Sequence, residues 1–215
     1  MDNFDIVIVG AGSAGCIVSN QIIKNTNLKV LLIEAGPGDN SPTIQVPLGY
    51  GMTFYHKKMN WNFYSEAQKN LNNREIYYPR GKVLGGSGSI NAMIYARGLS
   101  SDFQNWNLSS DWSWENIKAT YDQIEFTVND KTNILPSNKI PVNDVSKKHH
   151  PILRNFFDAA NDFKFNFNKQ LKTSLENQVG NYNVNIFNGF RTSSSKVFLK
   201  PIIKHPNLTI LTKTE

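Results

Sequence analysis

The sequence predicts an α/β protein built on a parallel strand–helix–strand unit. Three observations carry that expectation. Asp5-Ile6-Val7-Ile8-Val9 is an uninterrupted run rich in β-branched residues, followed at once by Gly10-Ala11-Gly12-Ser13-Ala14-Gly15. Apolar residues then recur at helical spacing, at Ala14, Ile17, Val18 and Ile22. A second apolar run, Lys29-Val30-Leu31-Leu32-Ile33-Glu34, ends on an acid.

Each element has a physical reason. A continuous β-branched run suits a strand covered on both faces of a parallel sheet. Gly10 permits the tight turn from strand to helix, Gly12 lets the backbone approach a pyrophosphate, and Gly15 lets the helix pack close to the strand. The pyrophosphate would sit on the free amides of the helix N-terminus. Glu34 lies about 20 residues beyond Gly12, where an acid accepts hydrogen bonds from ribose hydroxyls. Strand, glycine turn, helix, strand and acid together form a Rossmann-like dinucleotide fingerprint. The carboxylate would repel a 2′-phosphate, which disfavours NADP. The unit by itself does not separate FAD from NAD.

Composition narrows the class. Hydrophobic residues make up 40% and charged residues 19%, which excludes a disordered chain. No apolar run is long enough for a spanning helix, so no membrane span is expected. Met1-Asp2-Asn3-Phe4-Asp5 carries no basic region, so no signal peptide is read there and an intracellular location is expected. The single cysteine, Cys16, excludes an intrachain disulfide framework and suits a reducing compartment. Its place in the helical pattern reads as core. The +6 net charge comes mostly from scattered lysines, with pairs only at Lys57-Lys58 and Lys147-Lys148. No specific nucleic-acid binding is expected from that pattern.

Residues 36–79 carry Pro, Gly and aromatics with little periodicity and read as an extended loop region. Trp61, Phe63 and Tyr64 read there as packing residues. A second glycine cluster follows, from Pro79-Arg80-Gly81-Lys82-Val83-Leu84 through Gly85-Gly86-Ser87-Gly88-Ser89-Ile90 to Asn91-Ala92-Met93-Ile94-Tyr95-Ala96-Arg97-Gly98. Such a backbone exposes amides that can press against a phosphate or a flat ring.

The stretch 79–98 resembles the first signature of the glucose–methanol–choline (GMC) flavin oxidoreductases. The resemblance extends to Glu34-Ala35-Gly36, Trp61 through Gln68, Asp102-Phe103, and the Trp112-Ser113-Trp114 lead-in to a helix. It continues in Gly189-Phe190-Arg191-Thr192-Ser193-Ser194, Pro201 and His205-Pro206-Asn207-Leu208. It implies FAD. By resemblance, Val9, Gly10, Ala11, Gly12, Ser13, Ala14, Gly15, Glu34 and Ala35 would hold the ADP half. Val83, Gly86, Ser87, Asn91, Ala92, Met93 and Ile94 would line the diphosphate and flavin side. Some members attach FAD through a histidine just before the signature Asn. Ile90 occupies that position here and cannot make the bond, so noncovalent FAD is expected.

The rest of the chain is read more coarsely. Ser113 caps a helix with Trp114, Ile117, Tyr121 and Ile124 on one face, and Pro151 opens another with Ile152, Phe156, Ala159/Ala160 and Phe163 on one side. Residues 129–150 read as loop, 164–190 as short strands or loop, and Leu208–Leu211 as a last strand. The expected division is a FAD-binding Rossmann-like portion over 1–125, including the flavin loop 79–98. A partial α+β substrate domain would follow over 126–190, then a return segment over 191–215. The family chemistry is hydride transfer from the CH–OH group of an alcohol to FAD. It uses a histidine near the C-terminus of longer members. His56, His149, His150 and His205 lie in no segment resembling that site, so no catalytic residue is assigned and an inactive, truncated oxidoreductase is expected. Without the further Rossmann strands that the resemblance expects, the first unit would lack sheet neighbours and expose a strand edge. Two alternatives to an inactive oxidoreductase stay open, one half of a split active flavoenzyme and a non-catalytic structural or binding protein reusing the fold. The partners expected are FAD and, if the fold is completed in trans, a complementing chain.

Overall fold

The computed structural model describes residues 3–106, 109–129, 133–168 and 178–215. It divides into two compact units, residues 1–92 with 188–215, and residues 93–187.

In the first unit, β1 (Ile6–Val9), α1 (Ser13–Asn25) and β2 (Val30–Glu34) follow in the predicted order. The helical crossover brings β2 back parallel to β1, with Ile6 opposite Val30 and Val9 opposite Ile33. The strand Leu208–Thr212 adds to the other side of β2, also parallel, with Leu208 opposite Val30 and Thr212 opposite Glu34. β2 is therefore central, and its Val30 and Leu32 are fully buried. A β-branched run suits a strand covered on both faces, but β1 is not so covered, in line with the expected loss of sheet neighbours. Among the described residues it pairs with β2 alone, and Val7 and Val9 are 55% and 84% exposed.

α1 packs against Ser195–Leu199, whose Val197, Phe198 and Leu199 are buried. Asn20 Nδ2 donates to the Phe198 carbonyl at 2.6 Å. Cys16 is fully buried in this layer, as its sequence context suggested, and burial pushes its thiol up to about 12. The unfolded thiol ionises near 9.0, so the stability this group contributes holds below that pH and is lost as pH rises toward 12. At neutral pH a thiol reagent should label Cys16 only as fast as the chain opens. Stoichiometric labelling within mixing time under native conditions would contradict this burial.

Residues 36–79 are more ordered than an extended loop. Pro42 and Pro47 start short helical turns at Pro42–Gln45 and Pro47–Gly49, and Tyr50–Thr53 adds another. Phe63–Tyr64 pairs antiparallel with Tyr77–Tyr78. Asn60 is buried and satisfies backbone groups from four places: its Nδ2 donates to the Thr53 and Phe54 carbonyls, and its Oδ1 accepts from the Asn62 and Arg80 amides.

The second unit begins at Met93, whereas the sequence suggested a division after residue 125. Long-range pairing sets that boundary. Tyr95 and Ile94 pair antiparallel with Asn183 and Val184, and Arg97 forms a two-pronged ion pair with Glu125, through Nε to Oε1 at 2.7 Å and Nη2 to Oε2 at 2.5 Å. The helix Trp114–Ile124 starts as expected, with Ser113 Oγ accepting from the Asn116 amide at 3.4 Å. Within 129–150, read as loop, Ile140–Val142 forms a strand parallel to Glu125–Thr127; residues 130–132 lie outside the described residues. Of the stretch 164–190, Asn166–Asn168 pairs parallel with Gln178–Gly180, and residues 169–177 lie outside the described residues.

The second predicted helix spans Leu153–Asp162, and its packed face differs from the expected one. Of the expected stripe Ala160 is half-buried, beside Leu153 and Phe157, which lies edge-on to Phe167 at 4.9 Å, whereas Ile152, Phe156 and Phe163 are largely exposed. No helix among the described residues is long and apolar enough to cross a membrane.

Candidate nucleotide site

The C-terminal ends of β1 and β2 and the glycine turn between β1 and α1 border a cavity of about 600 Å³. It is lined by Val9, Gly10, Gly12, Ile33, Glu34, Ala35, Trp61, Gly81, Gly86, Thr214 and Glu215. Parallel sheets place ligands at this end of their strands.

Glu34 anchors one side. It is buried, and its carboxylate accepts from the Ala11 amide through Oε2 and from the Gly36 amide through Oε1, both at 2.9 Å. The acid thereby ties the glycine turn to the end of β2. Each oxygen retains further acceptor capacity. The opposite side is the start of α1, where Gly12 is the N-cap, no side chain caps the helix, and the first turn holds no acid. Its free amides and helix dipole favour an anion.

Two glycines here are imposed by close approach. A Cβ on Gly15 would lie 2.1 Å from the Gly10 carbonyl oxygen, so only glycine lets α1 begin against β1. Gly86, at φ +56°, would place a Cβ 2.8 Å from Gly12 Cα. The second glycine loop therefore presses backbone to backbone against the first, an approach fixed by the Gly85 amide donating to the Ala11 carbonyl at 2.7 Å. A Cβ on Gly12 itself would meet open space.

Of the residues assigned from sequence, Val9, Gly10, Gly12, Glu34, Ala35 and Gly86 line the cavity together. Ser13 and Ala14 are exposed at the start of α1, Gly15 is half-buried against the turn, and Ala11 is fully buried with its amide on Glu34. Val83 is fully buried in a cluster with Ile44, Met59 and Ile90, so its side chain is a core group. Ser87 Oγ accepts from the Gly81 amide at 3.0 Å, and Asn91 binds Arg191. Ala92 closes the first unit, while Met93 and Ile94 belong to the second, where Ile94 pairs with Val184.

Sequence reasoning missed part of the lining. Trp61, read as a packing residue, stacks on Phe63 at 5.7 Å and also faces the cavity, with Lys82 Nζ 4.3 Å from its ring centroid. Thr214 and Glu215 arrive because their strand runs in register with β2, and Glu215 pairs with Lys82. Placing Leu208–Leu211 beside β2 would have found them. None of the four histidines lines the cavity. His56, His150 and His205 each accept, through Nδ1, a backbone amide two residues on.

Comparison with known proteins gives the family of the chain. The GMC oxidoreductase family model matches residues 4–215. The chain is 39% identical over 214 residues to the alcohol dehydrogenase [acceptor] of Pseudomonas putida, covering 98% of this chain and 39% of that protein. It is 33% identical over 209 residues to an oxygen-dependent choline dehydrogenase of Rhizobium etli, covering 96% and 38%. The crystal structure of pyridoxine 4-oxidase from Mesorbium loti superposes with a TM-score of 0.87 at 29% identity, over 98% of this chain and 42% of that one. The chain thus spans about two fifths of the length of these relatives, and it belongs to the GMC oxidoreductase family.

Proposed function

We propose that the first unit is a FAD-binding portion of a GMC-type oxidoreductase, that it holds FAD noncovalently, and that residues 1–215 alone do not oxidise an alcohol. The observation that carries the reading is the cavity with a buried carboxylate on one side and an uncapped helix N-terminus on the other. Glu34 would hold the ribose hydroxyls, the start of α1 would hold the diphosphate, and Gly12 leaves the space a phosphate needs. The cavity volume lies within the range typical of small-molecule and cofactor sites. When bound, FAD supplies the acceptor for a hydride from the CH–OH carbon of an alcohol.

Ile90 supports noncovalent attachment, since its side chain is an aliphatic core group beside Ile44 and Met59. Inactivity is supported by the resemblance, since none of His56, His149, His150 and His205 lies in a segment similar to the family's histidine site. Removing a hydroxyl proton needs a base within hydrogen-bond reach of the substrate. Three of the four histidines serve local turns. The second unit, residues 93–187, would be the beginning of a substrate-side domain.

The expected result is a yellow complex whose flavin is released by acid precipitation and stays oxidised when an alcohol is added anaerobically. Flavin retained on the precipitated protein would overturn noncovalent binding. Alcohol-dependent bleaching would overturn inactivity. A second reading, completion by another polypeptide, is favoured by the free edge of β1 and the exposure of Val7 and Val9. Alcohol-dependent bleaching only after adding a chain that co-purifies with this one would support it.

A further inference from the structure

Arg191 sits in the Gly189–Ser194 segment, which contributes nothing to the cavity lining. It is among the largest fully buried side chains, 2% exposed. A buried guanidinium is ordinarily matched by a carboxylate. Here its hydrogen bonds end on neutral oxygens. Nε donates to the Ile44 carbonyl at 2.9 Å, and Nη1 to the Gly88 carbonyl at 3.3 Å and to Asn91 Oδ1 at 2.7 Å. Nη2 donates to the Asn91 carbonyl at 2.6 Å. Burial lowers its pKa to about 10, which leaves it charged at neutral pH.

Three of those bonds land on one short segment, Gly88 to Asn91, about a hundred residues away in sequence. That segment closes the second glycine loop. Gly85 and Gly86 both hold positive φ, so this backbone loses much entropy when fixed. The same loop meets the start of α1: a Cβ on Gly86 would lie 2.8 Å from Gly12 Cα, and one on Gly88 3.1 Å from Ser13 Oγ. A planar fork of five donors gathers several oxygens at fixed angles, whereas the three donors of lysine radiate from one freely rotating nitrogen and cannot span them.

We infer that Arg191 is a positioning residue for the cofactor. Its guanidinium fixes the loop 85–91 from behind, holding that backbone against the N-terminus of α1 where the FAD diphosphate binds, and it touches no cofactor atom itself. The inference rests on the FAD reading above. Fixing the loop before binding removes an ordering cost that the cofactor would otherwise meet.

The test compares the wild-type chain with Arg191→Lys, Arg191→Met and Asn91→Ala. Hydrogen exchange in the absence of FAD reads the clamp, and titration with FAD reads its consequence. The expected result is faster exchange confined to 85–91 in all three variants, with FAD binding weakened about tenfold or more in Arg191→Met. Arg191→Lys should restore little of that loss. The double variant Arg191→Met with Asn91→Ala should bind no worse than Arg191→Met alone, because the two act as one unit. Unchanged FAD affinity in variants that fold would overturn the inference, even where thermal stability falls. If Arg191→Met fails to fold, Arg191→Lys decides it by the same criteria. A wild-type chain that binds no FAD would sink the cofactor reading, whereas wild-type binding with indifferent variants would sink only the positioning role.

Discussion

Glu34→Ala is expected to abolish useful FAD binding and to destabilise the chain in the absence of FAD. The wild-type carboxylate accepts from two backbone amides, Ala11 and Gly36, each at 2.9 Å, in a buried setting. Hydrogen bonds to a charged group contribute about 1.5–3 kcal/mol each, so losing both should cost about 3 kcal/mol or more. Loss of two ribose contacts should weaken FAD by about 100-fold in addition. Glu34→Gln separates the roles, because its amide keeps one acceptor oxygen and turns two donors toward an amide that needs an acceptor. It should therefore fall between wild type and alanine. Urea unfolding without FAD measures the first effect, and flavin titration the second. Equal stability of wild type and Glu34→Ala would show that the carboxylate does not hold the glycine turn.

The second large effect is expected in the other unit. Arg97 meets Glu125 with two nitrogens and Asp122 with one, at 2.7 Å, and lies 4.9 Å from the Tyr121 ring centroid. The side chains of Arg97 and Glu125 are each 11% exposed. Tyr95 donates to the same carboxylate. Burial first, then that hydrogen bond, raises the Tyr95 phenol above its ordinary value, and the Glu125 hydrogen bond raises Arg97. Arg97→Ala would leave Glu125 buried without its cation, a change that costs about 3–5 kcal/mol. Removing both partners together should cost less than the sum of the single changes. The check is denaturant unfolding of the single and double variants; additive losses would contradict a shared ion pair.

What was legible in the sequence was local. The β1–α1–β2 unit rests on short-range periodicity, and its glycine turn and terminal acid lie where their chemistry requires. The start of the helix at Trp114 rests on one capping serine, also local. The boundary of the second unit was not legible, because it depends on partners far apart in sequence, such as Tyr95 with Asn183 and Arg97 with Glu125. The packed face of the helix Leu153–Asp162 was misread because two apolar stripes run side by side there, and only the neighbour Phe167 decides which one is covered. The β-branched run reports strand preference and not how many neighbours the strand has, so the exposed edge of β1 was legible only from the family strands that the resemblance expects beside it. In the cavity, the glycines and Glu34 were readable from spacing, whereas Trp61, Thr214 and Glu215 arrive through strand pairing and a distant turn.

The most direct test of the account is the melting temperature of purified residues 1–215 across a series of FAD concentrations. Binding to the native state raises stability by about 2.7 kcal/mol at a ligand concentration of 100 times Kd. The melting temperature should rise steadily with FAD for the wild-type chain, and Glu34→Ala should need about 100-fold more FAD for the same rise. A wild-type melting temperature indifferent to FAD would contradict the account.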